Sequence, residues 1–167
     1  MRVYRADPDY EMAVTLDDVR ANSRVDGDEE DGLIVSLIAA AQERAEQETG
    51  MVFGDDEWII EAEPCGDLVI PFWPVASVVS VVGEDGDFAD FTTSRSGRSF
   101  TISSTTWPGP VTIRVSAGMP APETVKRAIV MMASYWFDNR ALGSSEGVQE
   151  IPYAATALLG LNRRMFA

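Results

Sequence analysis

Leu33, Ile34, Leu37, Ile38, Ala41 and Ala45 fall on one face of an α-helix and form the clearest periodic pattern in the chain. Asp28 precedes this run as the natural N-cap. Glu29, Glu30 and Asp31 supply first-turn acids that suit the positive end of the helix dipole. Gly50 stands where a left-handed C-cap belongs, so the pattern predicts a helix over about 29–49. Upstream, Thr15 and Asp18 have capping-box spacing and predict a short helix over 16–22, with Leu16 and Val19 facing inward. Residues 1–13 mix charge with Tyr4 and Tyr10 without a period and read as an arm or irregular lead-in, bounded at residue 14.

From Phe53 to Ala117 the texture becomes β, giving a β-rich insertion over about 53–117. Trp58 to Glu63, Leu68 to Ile70 and the β-branched run Val75 to Val82 are strand candidates. The last of these is closed by the turn-rich Gly83 to Asp87. Phe88 to Thr92 and Ser99 to Ile102 flank a loop over Ser94 to Arg98. Val111 to Val115 alternates cleanly, with Val, Ile and Val on one face and Thr and Arg on the other. Short strands with frequent turns predict a small antiparallel sheet or barrel and not βαβ units.

Pro120 and Pro122 open a second long helix over about 122–141, with Val125, Ile129, Met132, Ala133 and Trp136 as its inward stripe. Gly143 to Gly147 reads as a flexible link, and Pro152 starts a terminal segment carrying Ala155, Leu158, Leu159 and Leu161. The fold class expected is α+β: a small helical bundle, with two long helices and short N- and C-terminal ones, holding an antiparallel β-rich insertion. Residues 15–142 form the core of this plan and 143–167 a linker and tail.

Charge changes the picture more than size does. At 167 residues the chain can bury roughly 70% of its unfolded surface as one domain with arms, needing neither disulfide nor metal. Its net charge is −14, unevenly spread: residues 1–63 carry 18 of the 27 acids and only 5 of the 13 bases. Gripping nucleic acid takes a basic surface that displaces counterions, so this chain is not expected to bind it tightly. An acidic wall can still surround a polyanion and let it slide. Solubility alone is an equally good account of the charge, and both readings stay open. The start of the chain lacks the apolar core of a signal peptide, and Cys65 is the only cysteine, so a reducing, cytoplasmic setting is expected. The most apolar helical stretch, Ala128 to Phe137, is far shorter than the ~20 residues of a membrane span.

Little in the sequence points to catalysis. There is no histidine, which removes His-based triads, His-containing zinc sites and the usual general base. Cys65 has no partner to activate it and reads as a plain structural cysteine. Asp26, Asp28 and Glu30 have the first three ligand positions of a calcium loop. Asp31 then stands where glycine is needed and Leu37 where the bidentate glutamate belongs, so the acids read as a solvated helix start. Asp55 with Asp56, and Asp85 with Asp87, lie in turn-like sequence without apolar neighbours. No phosphate loop and no nucleophile elbow occurs, and no cofactor or metal is expected.

What remains is apolar surface. Phe72 and Trp73, between Pro71 and Pro74, cannot both point into one core, so one is a candidate anchor for a neighbour. The segment Leu158, Leu159, Leu161, Arg163, Arg164, Met165, Phe166 is apolar with one tight basic pair. It either docks on another protein or folds back on its own core.

At this point the residues resemble the phage head–tail connector (adaptor) proteins. The resemblance rests on Leu16 to Val19, Arg24 to Asp31 leading into Leu37 to Ala41, and Ala45-Glu46 with Thr49-Gly50. It continues in Ile70-Pro71-Phe72-Trp73-Pro74-Val75-Ala76-Ser77-Val78, Ala117-Gly118, Pro122 to Ile129, Trp136 to Arg140, and Pro152 with Leu158-Leu159. It spans about 15–162. The first fourteen residues are extra, and the ending Gly160 to Arg164 departs from the family's Pro-Tyr-Arg-like close. The resemblance implies a structural, non-catalytic protein of the virion head–tail junction in a phage or gene transfer agent, made in the bacterial cytoplasm. It implies a ring of about a dozen copies under the portal, with the tail embracing the portal and the opposite face receiving the stopper or tail-completion protein. DNA would pass without specific binding, with Asp26, Asp28, Glu29, Glu30 and Asp31 toward the channel, and no membrane is involved. A stopper or tail-completion protein, an unrelated small binding module and a hydrolase with an unfamiliar site are the alternatives. The two long helices and the missing histidines weigh against the first and last.

Overall fold

The computed structural model describes residues 1–7, 10–139 and 152–163. The chain divides into two compact units, one built from residues 1–11 and 50–120, the other from residues 12–49 and the chain from 121 onward.

The first unit is β. Its larger sheet has the order β1 (Arg2–Arg5), β2 (Asp56–Ala62), β8 (Val111–Ala117), β4 (Val75–Gly83), β5 (Gly86–Asp87), with every neighbouring pair antiparallel. The smaller sheet has the order β3 (Leu68–Val69), β7 (Ser99–Ser103), β6 (Thr92–Ser96), also antiparallel. The alternation read in β8 holds: Val111, Ile113, Val115 and Ala117 are buried, while Thr112 and Arg114 are exposed. They join Trp58, Ile60, Phe72, Val75 and Val81, together with Phe100 and Ile102 of the second sheet, in a single apolar core. β8 is central, paired with β2 on one side and β4 on the other, and its alternation is that of a sheet with one face on the core.

Two expectations change here. Residues 2–5 are not irregular but form the edge strand β1. Arg5 fixes them: its guanidinium donates to Asp56 Oδ2 at 3.1 Å and to the Phe53 carbonyl at 3.3 Å. It also lies 3.8 Å from the Tyr10 ring centroid and 4.5 Å from that of Trp58. A four-residue strand has too short a period to read without its partner. The second change is that Phe88 to Phe91 are not strand. β6 begins at Thr92 and runs through Ser96, so the loop expected over 94–98 shrinks to a hairpin turn at Gly97 and Arg98. Cross-strand pairing overrode the local Ser/Arg/Gly composition.

The chain comes into this unit at Gly50 and leaves it at Pro120, and the two stretches are laced through the segment between them. The Trp73 N–H donates to the Gly50 carbonyl at 3.0 Å and the Val52 N–H to the Trp73 carbonyl at 2.9 Å. The Gly54 N–H donates to the Met119 carbonyl at 3.2 Å, and the Gly118 N–H to that of Pro74 at 3.0 Å. The Trp73–Pro74 peptide is cis. Gly118 has φ +134, and a Cβ there would sit 1.9 Å from the Gly54 oxygen. Only glycine permits that backbone contact.

The second unit is helical: α1 (Leu16–Ser23), α2 (Asp31–Thr49), α3 (Glu123–Asp138) and α4 (Tyr153–Gly160). α3 is the hub, packing on the other three. It accordingly buries Val125, Ala128, Ile129, Val130, Met132, Ala133, Ser134 and Phe137, a wider band than the expected stripe, while Trp136 is half-buried. The capping box of α1 is present. The Thr15 hydroxyl and N–H both donate to Asp18 Oδ2, at 2.7 and 2.8 Å, and the Asp18 N–H donates back to the hydroxyl at 3.2 Å. α2 starts two residues later than read. Asp28 is not its N-cap but opens a turn whose carbonyl accepts from the Asp31 N–H at 3.2 Å. The buried face of α2 is Ile34, Ile38, Ala41, Gln42, Ala45, Glu46 and Thr49; Leu33 is exposed. Gln42 and Glu46 were missed as inward positions because their polarity hides a shared role. The Gln42 side-chain carbonyl accepts from the Ala13 N–H at 2.8 Å, and its amide donates to Glu46 at 3.3 Å. The fold matches the expected α+β class, with four helices and antiparallel sheets among the described residues.

Gly118→Ala is expected to lower stability by about 3 kcal/mol or more, from left-handed backbone strain and overlap with Gly54. Urea unfolding measures it, and an unchanged midpoint would mean that the backbones are not in contact. The hydrogen bonds from the Thr15 hydroxyl, then its N–H, hold the Asp18 carboxyl below the ordinary aspartate value of 3.8. A depressed pKa stabilises the fold above that value and loses the contribution as pH falls through the folded-state pKa. The Tm gap between wild type and Asp18→Asn should therefore be present at neutral pH and close as the pH is taken well below 3.8.

Candidate assembly surfaces

Three surfaces were legible as candidates. The first is the acidic connection between α1 and α2. α1 ends on Arg24 in the left-handed region, φ 54, which turns the chain out of the helix. Beyond it Asp26, Asp28 and Glu29 are exposed, whereas Glu30 and Asp31 are half-buried. Asp31 is paired with Arg20, whose guanidinium also lies 3.6 Å from Asp17. The outward-facing members of the set are thus Asp26, Asp28 and Glu29, all solvent-exposed. Among the described residues no group of His, Cys, Asp or Glu could hold a metal ion.

The second surface contains Phe72 and Trp73, which the structure separates. Phe72 is buried, its ring centroid 5.0 Å from that of Trp58. Trp73 is half-exposed beneath the Arg98 guanidinium, 5.2 Å from its ring centroid. One aromatic belongs to the core and the other is half-exposed.

The third is the terminal segment. α4 packs on α3 and α2, burying Ala155 and Leu159. Leu159 is therefore spent on its own bundle and offers nothing to a partner. Leu158 is half-buried, while Leu161 is 77% exposed. Asn162 ties the helix end down by donating to Thr124 Oγ1 at 2.9 Å, and Arg163 lies 3.9 Å from Glu48. Arg164, Met165 and Phe166, and the link read over Gly143 to Gly147, lie outside the described residues.

Two features of the β unit escaped the sequence reading. Arg95 and Arg98 sit on the β6–β7 hairpin, and Arg95 braces the start of β4 by donating to the Val75 carbonyl at 2.6 Å. The available signal was the absence of any acid between Asp90 and Glu123. At the far end of β4 lies a groove of about 510 Å³ whose lining includes Met1, Glu61, Glu63, Val82, Glu84 and Val111. Its residues come from four separate segments, so no local pattern announces it.

Among the described residues these candidates are acidic, aromatic and apolar surface positions with no metal-binding group beside them. The chain belongs to the phage gp6-like head–tail connector protein family, whose profile matches residues 13–111. Its role is that of a connector, a structural component at the head–tail junction of the virion. The fold is similar to that of a chain in the neck of an empty gene transfer agent particle determined with C6 symmetry, at a TM-score of 0.77 and 16% identity. That match covers 100% of this chain and 97% of the other. A chain in the virion of a native gene transfer agent particle matches with TM-score 0.73 and 18% identity, and one in a native neck determined with C12 symmetry with 0.70 and 17%, both with the same coverage. No match is found among curated proteins.

Phe72→Ala should cost about 3–5 kcal/mol in urea unfolding, as for a buried phenylalanine, and Trp73→Ala clearly less. Equal losses would mean that Trp73 is a core residue and not an available one.

Proposed function

We propose that the protein is the head–tail adaptor: about twelve copies form a ring beneath the portal, extend the DNA channel and receive the stopper or tail-completion protein on the opposite face. It performs no catalysis in this role. The observation that carries the reading is the family match over residues 13–111, supported by a fold that aligns end to end with chains of symmetric neck assemblies. The ring requires a self-complementary, heterologous contact between copies, and Trp73 is a candidate for it.

The portal contact is assigned to the end of the chain, through Leu158, Leu161 and Arg163 and, beyond the described residues, Arg164, Met165 and Phe166. The exposed Asp26, Asp28 and Glu29 are assigned to the channel side with Glu30 and Asp31, where a negative wall repels the DNA backbone and prevents it from sticking. What supports the portal assignment is that the exposed Leu161 and Arg163 lead, in sequence, into Arg164, Met165 and Phe166, an apolar run with a tight basic pair.

Electron microscopy of the protein mixed with its portal tests both assignments. A twelve-fold collar is expected, with residues 26–31 facing its lumen. Persistent monomers with no portal affinity would overturn the adaptor reading, and a collar carrying that loop on its outer rim would overturn the channel assignment alone.

A further inference from the structure

The geometry points to a head-to-tail contact between the β units of successive copies: the Arg98 hairpin tip of one, with Trp73 beside it, seats in the glutamate-rimmed groove of the next. This deepens the ring reading and rests on it. The two patches lie at opposite ends of the same strand. The tip is held at the start of β4, where Arg95 donates to the Val75 and Ala76 carbonyls at 2.6 and 3.3 Å. The groove is lined by the last residues of β4, Val82 and Gly83, with Glu84 following. Nine strand residues at about 3.3 Å each separate them by roughly 27–30 Å. Two different patches at opposite ends of one rigid strand make a heterologous contact, the kind that closes into a ring.

Charge selects the occupant. Copies with a net charge of −14 repel one another, so a contact between them must set cations against anions locally. Between Asp90 and Glu123 the chain carries three arginines and no acid. Arg114 is paired with Glu57 at 3.3 Å and Arg95 braces β4, which leaves Arg98 without a carboxylate partner among the described residues. In the groove, Glu61 accepts from the Tyr4 hydroxyl at 2.9 Å, whereas Glu63 and Glu84 have no partner among the described residues. The groove lining also includes the apolar Met1, Val82, Pro110 and Val111, and so suits an indole carrying a guanidinium on its face. A basic, aromatic tip thus meets an open groove lined by glutamates and apolar side chains.

The test uses the full chain and its portal. In a Cys65→Ser background, Arg98→Cys combined with Glu84→Cys should give, on mild oxidation of the assembled collar, a ladder of covalent dimers, trimers and higher forms on a non-reducing gel. Neither single cysteine variant should do so. Arg98→Glu should abolish the collar and Arg98→Glu/Glu84→Arg should restore it, with thermal unfolding confirming that both variants fold. A wild-type collar in which the double-cysteine protein stays unlinked and the charge swap restores nothing would overturn the head-to-tail contact while leaving the ring intact. Absence of a collar from the wild-type protein would overturn the ring and this contact with it.

Discussion

The backbone approach of Gly54 to Gly118 is the constraint around which the β unit is arranged. A unit inserted into a helical chain must begin and end close together, because the chain that leaves at residue 50 has to return at residue 120. Here the two strands of traffic come within contact of each other, closer than any side chain would allow. The hydrogen bonds of Gly50, Val52, Gly54 and Gly118 then satisfy backbone groups that would otherwise be buried unpaired. Trp73 and Pro74 lie in the middle of this lacing. Phe72 is consequently turned into the core and Trp73 outward, so a surface proposed for assembly inherits its orientation from a backbone contact.

Arg5 plays the corresponding part for the edge of the sheet. Stacking between Tyr10 and Trp58 desolvates its guanidinium, and the Asp56 carboxylate supplies the matching charge. The N-terminal strand thereby becomes part of the β unit, and Met1 is brought to the groove at its end. In the helical unit α3 has the equivalent role. Its wide apolar band accepts α1, α2 and α4, and this docking decides that Leu159 is core while Leu161, two residues later, is surface.

The acidity of the chain constrains assembly more than folding. The first 63 residues hold most of the carboxylates, and most of those described are solvated or engaged in short-range caps and pairs such as Asp18 with Thr15 and Asp31 with Arg20. In the proposed ring, identical acidic copies repel one another unless cations face anions locally, which gives Arg98 on its hairpin tip more consequence than its exposure suggests. An acidic surface and a self-associating protein are compatible when the contact is local and the repulsion is screened over about 8 Å at physiological salt.

Local pattern determined the elements. The periods of α2 and α3, the Thr15–Asp18 cap, the Gly50 stop and the alternation of β8 are each written within one or two turns or strands of sequence, so they were legible, as was the α+β class. The acids at 26–31 and the Phe72–Trp73 pair were legible as candidates for the same reason. Register and partnership were not, because they depend on residues far apart in the chain. β1 exists only because β2 is beside it, and Leu33 is exposed only because the helix presents Ile34 and Ile38 to its neighbours. Asp28 fell outside its helix when a turn captured its carbonyl. The arginine tip and the glutamate groove were decided by tertiary structure alone, since their parts come from separate segments and acquire meaning only when the strands are aligned.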